Sequence, residues 1–353
     1  MSTDGAKSIR ERLNLLLLYH LPKKLRTYYR LPLFKALIRV YFKVFTPLLR
    51  LFSPLFGCQV MIGLTYRCQC RCRHCCINMY PKDKAGELSR AEVFALIDEV
   101  AALGASGITL FGGEPMLSPD YLDYARRARE RGLYVSINTN GYKLDEAAAR
   151  DMREAGITKV FISVDGSDEA QHDEWHGLPG AYRRAIDGLK NAAAHGMHAV
   201  LSVCATGEKV RNGEIARTLE LSGSIGAATR LTYPMRAGNW LDGDNSGLTA
   251  EDRAALERFP NEDMTLCSAG LRAIFYVSPY GEVQPCPSVP VAYGNIREGG
   301  LLRTVREMWR SGLIPVLETE LKCPTNSPVF RDMCLRIGPS EGYPRLLAEK
   351  PCG

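Results

Sequence analysis

From residue 59 onward the chain alternates short β-branched runs with longer helical stretches, and this alternation restricts the fold more than any other feature. Strands are predicted over residues 59–64, 108–111, 133–138, 159–164, 199–205 and 229–235. Helices are predicted over 89–103, 120–131, 144–155, 181–195 and 213–224, the first with Ser89 as its N-cap. Repeated βα units of this kind build a parallel sheet. Each predicted strand ends in glycine or polar residues, so the six units read as a parallel barrel or part of one. In such folds the chemistry gathers in the loops that follow the strands. The length of 353 residues suits one large α/β domain, or a core domain with an appendage, and 46% hydrophobic with 24% charged residues is an ordinary soluble composition.

The loop after the first strand reads Leu64-Thr-Tyr-Arg-Cys-Gln-Cys-Arg-Cys-Arg-His-Cys-Cys76, with Cys68, Cys72 and Cys75 spaced C-x3-C-x2-C. Thiolates close together in one loop suit an iron–sulfur cluster. Three of them leave one iron of a four-iron cluster open to a ligand that is not protein. A structural zinc site competes, although such sites usually build from separated C-x2-C pairs. Cys70 and Cys76 permit other registers through the same loop. Twelve cysteines without an expected export signal point to a reducing, cytoplasmic compartment rather than to disulfides. The run Gly112-Gly113-Glu114-Pro115 closes the second strand. Alone it is a turn; its place at the same end of the sheet makes it a partner of the cysteine loop.

Charge is unevenly distributed. Residues 1–57 hold eleven Lys or Arg against two acids, and the remainder of the chain is slightly acidic. Pro32 suits a first helical position, and Leu33 to Phe45 follows as a helix with Lys35, Arg39 and Lys43 in one basic stripe, before Pro47 and Pro54 interrupt it. No charge-free stretch is an apolar helix long enough to span a bilayer. A basic amphipathic helix can lie on an anionic membrane surface, or it can pack on the catalytic domain with its Lys and Arg tips in water. No recognisable nucleic-acid module surrounds the basic residues, so no nucleic acid is expected as a partner.

In this order and at these positions, the motifs resemble those of the radical S-adenosylmethionine (SAM) superfamily over about residues 58–240. The resemblance implies a partial (β/α)6 TIM-like barrel. It also implies a [4Fe-4S] cluster on Cys68, Cys72 and Cys75, whose open iron is chelated by the amine and carboxylate of SAM. His74 stands where the family usually has a planar group near the adenine. Gly112, Gly113, Glu114 and Pro115 match the GGEP run that contacts the SAM amino group. Asn138, Asn140, Ser163, Asp165, Ser202 and Arg236 fall at strand ends where the family places ribose, methionine-carboxylate and substrate contacts. The stretch His172-Asp-Glu-Trp-His-Gly-Leu-Pro-Gly180 resembles the family's HDxxRGxxG segment but carries His176 where Arg is usual, so no role for that arginine is carried over. In the family, an electron from the reduced cluster cleaves SAM to methionine and a 5′-deoxyadenosyl radical, which abstracts hydrogen from an unactivated carbon. The electron donor is of the flavodoxin or ferredoxin kind.

A second cysteine group follows. Cys267-x13-Gly281-x4-Cys286 flanks a predicted hairpin, residues 274–278 and 283–284 around a glycine-bearing turn. This resembles the extension of the SPASM and Twitch radical SAM enzymes. Cys267, Cys286, Cys323 and Cys334 would then saturate one auxiliary four-iron cluster, with Cys352 as a substitute ligand. Buried reduced cysteines are the plain alternative. The expected organisation is a helical extension over 1–57, the partial barrel over 58–240 and a small cysteine-rich domain over 241–353. The expected substrate is a small or amphiphilic, even lipid-like, metabolite. A ribosomal peptide or protein is the alternative, and a non-catalytic iron–sulfur carrier is the alternative of a different class. The expected location is the cytoplasm, with peripheral contact at the inner face of the membrane through residues 1–57. No catalytic side chain is assigned.

Overall fold

The computed structural model describes residues 32–82, 85–235, 237–240, 247–259, 267–319 and 345–346. Residues 1–31, Arg236, Cys323, Cys334 and Cys352, all named above, lie outside the described residues.

The six predicted strands form as β1 (Gln59–Gly63), β2 (Gly107–Phe111), β3 (Tyr134–Thr139), β4 (Lys159–Ser163), β5 (His198–Cys204) and β6 (Ala228–Thr232). All pair in parallel in sequence order. The last of them stops three residues earlier than predicted, because Pro234 has no amide to donate to a ladder. The C-terminal hairpin, β7 (Ile274–Val277) and β8 (Val283–Gln284), joins the same sheet. β7 pairs parallel with β1, giving the order β6-β5-β4-β3-β2-β1-β7-β8.

Alternation along each strand sorts side chains between two faces. Val60, Ile62, Ile108, Leu110, Val135, Ile137, Val160, Ile162 and Leu201 point outward under the helices and are fully or almost fully buried. Each contributes about 1.5–3 kcal/mol by leaving water. The covering helices include Arg90–Ala102, Tyr121–Glu130, Glu146–Glu154, Ala181–Ala194 and Glu214–Ile225, close to the predicted bounds. Ser89 caps the first, and Glu92 returns the bond in a full capping box. The inner face is different. Gln59, Thr109, Ser136, Asn138, Lys159, Ser163, Ser202 and Arg230 share it by register with Met61, Phe111, Phe161 and Val200, leaving an interior of mixed polar and apolar side chains that can meet a ligand with polar groups.

Before β1, helix Pro32–Val40 runs through a π-helical turn, Tyr41–Phe45, into helix Thr46–Leu49. Pro47 was expected to interrupt this helix and does not. In π register the amide of residue 47 would bond the Phe42 carbonyl; the Thr46 hydroxyl donates to that carbonyl instead, at 2.5 Å. Several helices were not anticipated, among them Gly207–Arg211, Ala250–Leu256 and Leu301–Arg310, and another bears on the site. Glu169–His176 forms inside the segment that resembles HDxxRGxxG, capped by Asp168 and ended by Gly177 in the left-handed region at φ 60°.

Candidate active site

The cysteine loop leaves the C-terminal end of β1 and crosses the mouth of the half-barrel, held on three sides by backbone. After β2, the Gly113 amide donates to the Thr65 carbonyl at 2.7 Å and the Glu114 amide to the Arg67 carbonyl at 2.9 Å. A Cβ on Gly112 would lie 2.3 Å from the Thr65 carbonyl oxygen, and one on Gly113 would lie 2.3 Å from that of Arg67. Gly112 also has φ +145°, which favours glycine. The two glycines therefore let the second loop close on the first. At the end of Glu169–His176, Arg71 and Arg73 amides donate to the carbonyls of His176 and Trp175. After β6, Asn239 donates its side-chain amide to the Cys72 carbonyl at 2.8 Å and its backbone amide to that of Cys75 at 3.1 Å. Gly238, at φ +59°, packs so closely on the Cys75 carbonyl that no Cβ fits there.

Cys68, Cys72 and Cys75 all line one cavity of about 250 Å³ within this frame. Cys70 lines it too, which keeps the alternative register through Cys70 open; Cys76 is not among the lining residues. Cys70 and Cys72 thiols and a His176 ring nitrogen lie within 4.8 Å of one another, with Cys72 Sγ 3.4 Å from His176 Nδ1. The Cys70 thiol beside it and burial push the Cys68 thiol up, and burial pushes up Cys75. Without a cation these thiols hold their protons; iron would displace them, because the thiolate is the ligand.

Glu114 is buried and pins the loop rather than facing open space. Its carboxylate accepts from Thr139 Oγ1 at 2.7 Å, the Asn140 amide at 2.8 Å and the Met116 amide at 3.0 Å. Burial raises its pKa. Pro115 opens the short 3-10 turn Pro115–Leu117 that Glu114 caps. Asn140 reaches toward the cluster side, with Nδ2 3.8 Å from Cys68 Sγ. Replacing Gly113 by Ala forces overpacking of about 1–3 kcal/mol into this joint. We expect that variant to keep its far-UV circular dichroism but to bind less iron on anaerobic reconstitution, read by an iron and sulfide count.

Asp165, predicted at a ligand-contact position, is 2% exposed and surrounded by protein. Oδ1 accepts from the Cys204 amide at 2.7 Å and from Lys209 Nζ at 3.3 Å; Oδ2 meets His176 Nε2 at 3.0 Å and His74 Nε2 at 3.7 Å. Burial alone would raise its pKa, but Lys209, His74 and His176 together hold it well below the carboxylate range. His176 takes the opposite course: burial opposes its charge, yet the Asp165 bond raises its pKa to about 9. His74 accepts from Trp175 Nε1 at 2.6 Å, lies edge-on to His176 and beside Trp240, and is lowered to about 4 by burial. Lys209 is also stacked 3.7 Å above the Trp175 ring.

The remaining predicted contacts are on the inner face. Ser163 and Ser202 are register partners, and Ser202 accepts from Arg230 Nε at 3.1 Å. Asn138 Oδ1 is buried with no hydrogen-bond partner among the described residues, an acceptor waiting for a donor. The thiol-lined cavity fits a cluster, and the unpartnered amide oxygen on the inner face of the same sheet fits an organic ligand. Cys267 and Cys286 are 19 residues apart yet pack against the same small core of Ala269, Val289, Val291, Leu313, Ile314 and Leu317. Several site residues escaped the sequence reading: Lys209, Trp175, Gly238 and Asn239. Only Gly238-Asn239 left a signal, and it reads as a turn.

Residues 62–221 match the model of the Radical SAM superfamily. The chain belongs to that superfamily and is one of its enzymes, with the [4Fe-4S] cluster and SAM that the family binds. It is similar to the AdoMet-dependent heme synthase of Methanosarcina barkeri, at 28% identity over 70% of this chain and 80% of that one. It is also similar to the mycofactocin maturase MftC of Mycobacterium ulcerans, at 28% identity over 64% of this chain and 66% of the relative. Among solved structures, Streptococcus suis SuiB bound to its precursor peptide SuiA superposes with a TM-score of 0.60 at 13% identity, covering 77% of this chain and 70% of SuiB. At that identity the likeness speaks for the fold alone.

Proposed function

We propose that this radical SAM enzyme abstracts a hydrogen atom from a small organic metabolite, and that Cys68, Cys72 and Cys75 hold its cluster. The observation that carries the ligand assignment is their shared cavity, closed by Gly113, His176 and Asn239. When bound, the cluster and SAM supply a 5′-deoxyadenosyl radical. The chain's part is to orient and exclude water. Glu114 fixes the loop after β2, Asn138 offers its orphaned oxygen to the SAM side, and the Asp165–His176–Lys209 group holds the wall behind Cys72.

A small substrate is supported by the similarity to a heme synthase and by the polar groups of the inner face, where Lys159 and Arg230 lie against the Phe161 ring at 4.6 and 4.4 Å. Modification of a ribosomal peptide is the second reading, favoured by the similarity to the mycofactocin maturase. The carrier alternative falls with the family. Cys267 and Cys286, with Cys323 and Cys334, are proposed to bind an auxiliary four-iron cluster for electron transfer or substrate binding, with flavodoxin or ferredoxin as the outside donor in the cytoplasm.

Anaerobic reconstitution with reductant and SAM tests the reading. We expect 5′-deoxyadenosine, and a rise in its yield when a low-molecular-mass extract is added. A rise only with the polypeptide fraction would transfer the proposal to peptides, and no 5′-deoxyadenosine from a chain with an intact cluster would end it. About eight irons per chain, falling to about four when Cys267 and Cys286 become Ala, would support two clusters; about four in both would remove the auxiliary one.

A further inference from the structure

The helical rod before β1 touches the protein body along one narrow line. Phe42 packs against Leu271 and Ala273, Thr46 is fully buried, and Arg50 donates to the Arg272 carbonyl at 2.7 Å while lying 4.6 Å over the Trp309 ring. Positions 42, 46 and 50 share one helical face. The other side is apolar and open. Leu33, Leu37, Val40, Val44, Phe45, Leu48 and Leu49, with Leu51 and Phe52 just beyond, are between 41% and 90% exposed. Val40, Val44 and Leu48 run along a line about 200° from the buried one. Single exposed apolar residues are ordinary, but nine of them between positions 33 and 52 mark an interaction surface.

Charge narrows the partner. Arg39 and Lys43 are exposed on the flank of the row, within a segment whose eleven basic residues face two acids. A second copy docked face to face would set the two basic flanks against each other. The partner must be apolar and anionic together. We propose that residues 32–52 lie in the interface of an anionic phospholipid bilayer, the apolar row in the acyl boundary and Arg39 and Lys43 among the headgroups. Among the described residues no helix is long and apolar enough to cross a membrane, so the contact runs along the surface.

The placement also orients the enzyme. Leu271 and Ala273 precede β7, and Arg50 contacts Cys58 just before β1, so the rod sits at the N-terminal ends of these strands. The cysteine loop leaves the opposite end, about 16 Å away along β1. The bilayer contact is therefore a tether, and the site's mouth lies at the far end of the strands.

Sedimentation of the full chain with vesicles tests the proposal. We expect the chain to pellet with phosphatidylcholine vesicles that contain phosphatidylglycerol, and to remain in the supernatant with phosphatidylcholine alone. A Val44→Glu/Leu48→Glu variant should lose at least about tenfold in partition, and Arg39→Glu/Lys43→Glu should lose the preference for phosphatidylglycerol. Unchanged thermal melting and iron content show that the variants are folded. Equal pelleting of the Val44→Glu/Leu48→Glu variant, or no pelleting of the parent, overturns the proposal. So does a parent that is dimeric without lipid and fails to pellet, because the face would then be a self-interface. Since 5′-deoxyadenosine is measured on the same samples, losing the tether leaves the functional reading standing.

Discussion

A Cys72→Ala chain is expected to make no detectable 5′-deoxyadenosine, a fall of at least about a hundredfold, since even a group behind a metal ligand is worth up to that much. The reason is geometric. Cys72 is the thiol in the middle of the loop, with its carbonyl held by Asn239 and its sulfur facing His176. Two thiols cannot keep a four-iron cluster with one iron open to SAM. The rival is close at hand, because Cys70 lines the same cavity and its thiol lies within 4.8 Å of Cys72 Sγ. The decisive comparison is therefore with Cys70→Ala, which should keep its iron and its cluster absorbance. If Cys70→Ala empties the site and Cys72→Ala does not, the register runs through Cys70 and the assignment is wrong. If either thiol can replace the other, only the double variant loses iron.

What the sequence displays of this architecture follows from period and contact range. Strand alternation is a local property, and the outward positions of β1 to β5 are apolar because each is covered by a helix; those elements could be placed from residues 59–225 without knowing the fold. The cysteine spacing and Gly112-Gly113 are local too. Why two glycines are needed is not, since the obstacle is the carbonyls of Thr65 and Arg67, more than 40 positions earlier. Lys209 is the plainest miss. In the chain it is one cation in the polar run Gly207–Arg211; in the fold it is buried against Asp165 and the ring of Trp175. Burial that depends on three separated segments leaves no periodic trace. Asp165 itself was placed correctly at a strand end, but its neighbours give it work inside the wall.

That work sets the second large effect. Replacing Asp165 by Ala should destabilise the metal-free chain by about 3–5 kcal/mol, because the cationic His176 and Lys209 would be left buried without their carboxylate. Urea unfolding measures it, and a loss under about 1 kcal/mol would mean that the group is looser or wetter than its distances indicate. The pH profile gives a second signature. His176 has its folded pKa raised from 6.5 to about 9, so its contribution is full below pH 6.5 and is lost as pH rises through about 9. His172, stacked on His176 and fully buried, is lowered to about 3, and His74 to about 4. The unfolded chain takes up those protons below pH 6.5 and the folded chain does not, so stability also falls on the acid side. The metal-free parent should therefore be most stable near pH 6.5, declining in both directions. In Asp165→Asn, the bond that raises His176 is gone, and the decline between pH 6.5 and about 9 should largely disappear while the acid limb remains. A merely space-filling role for Asp165 would lower both limbs together and leave their shape unchanged.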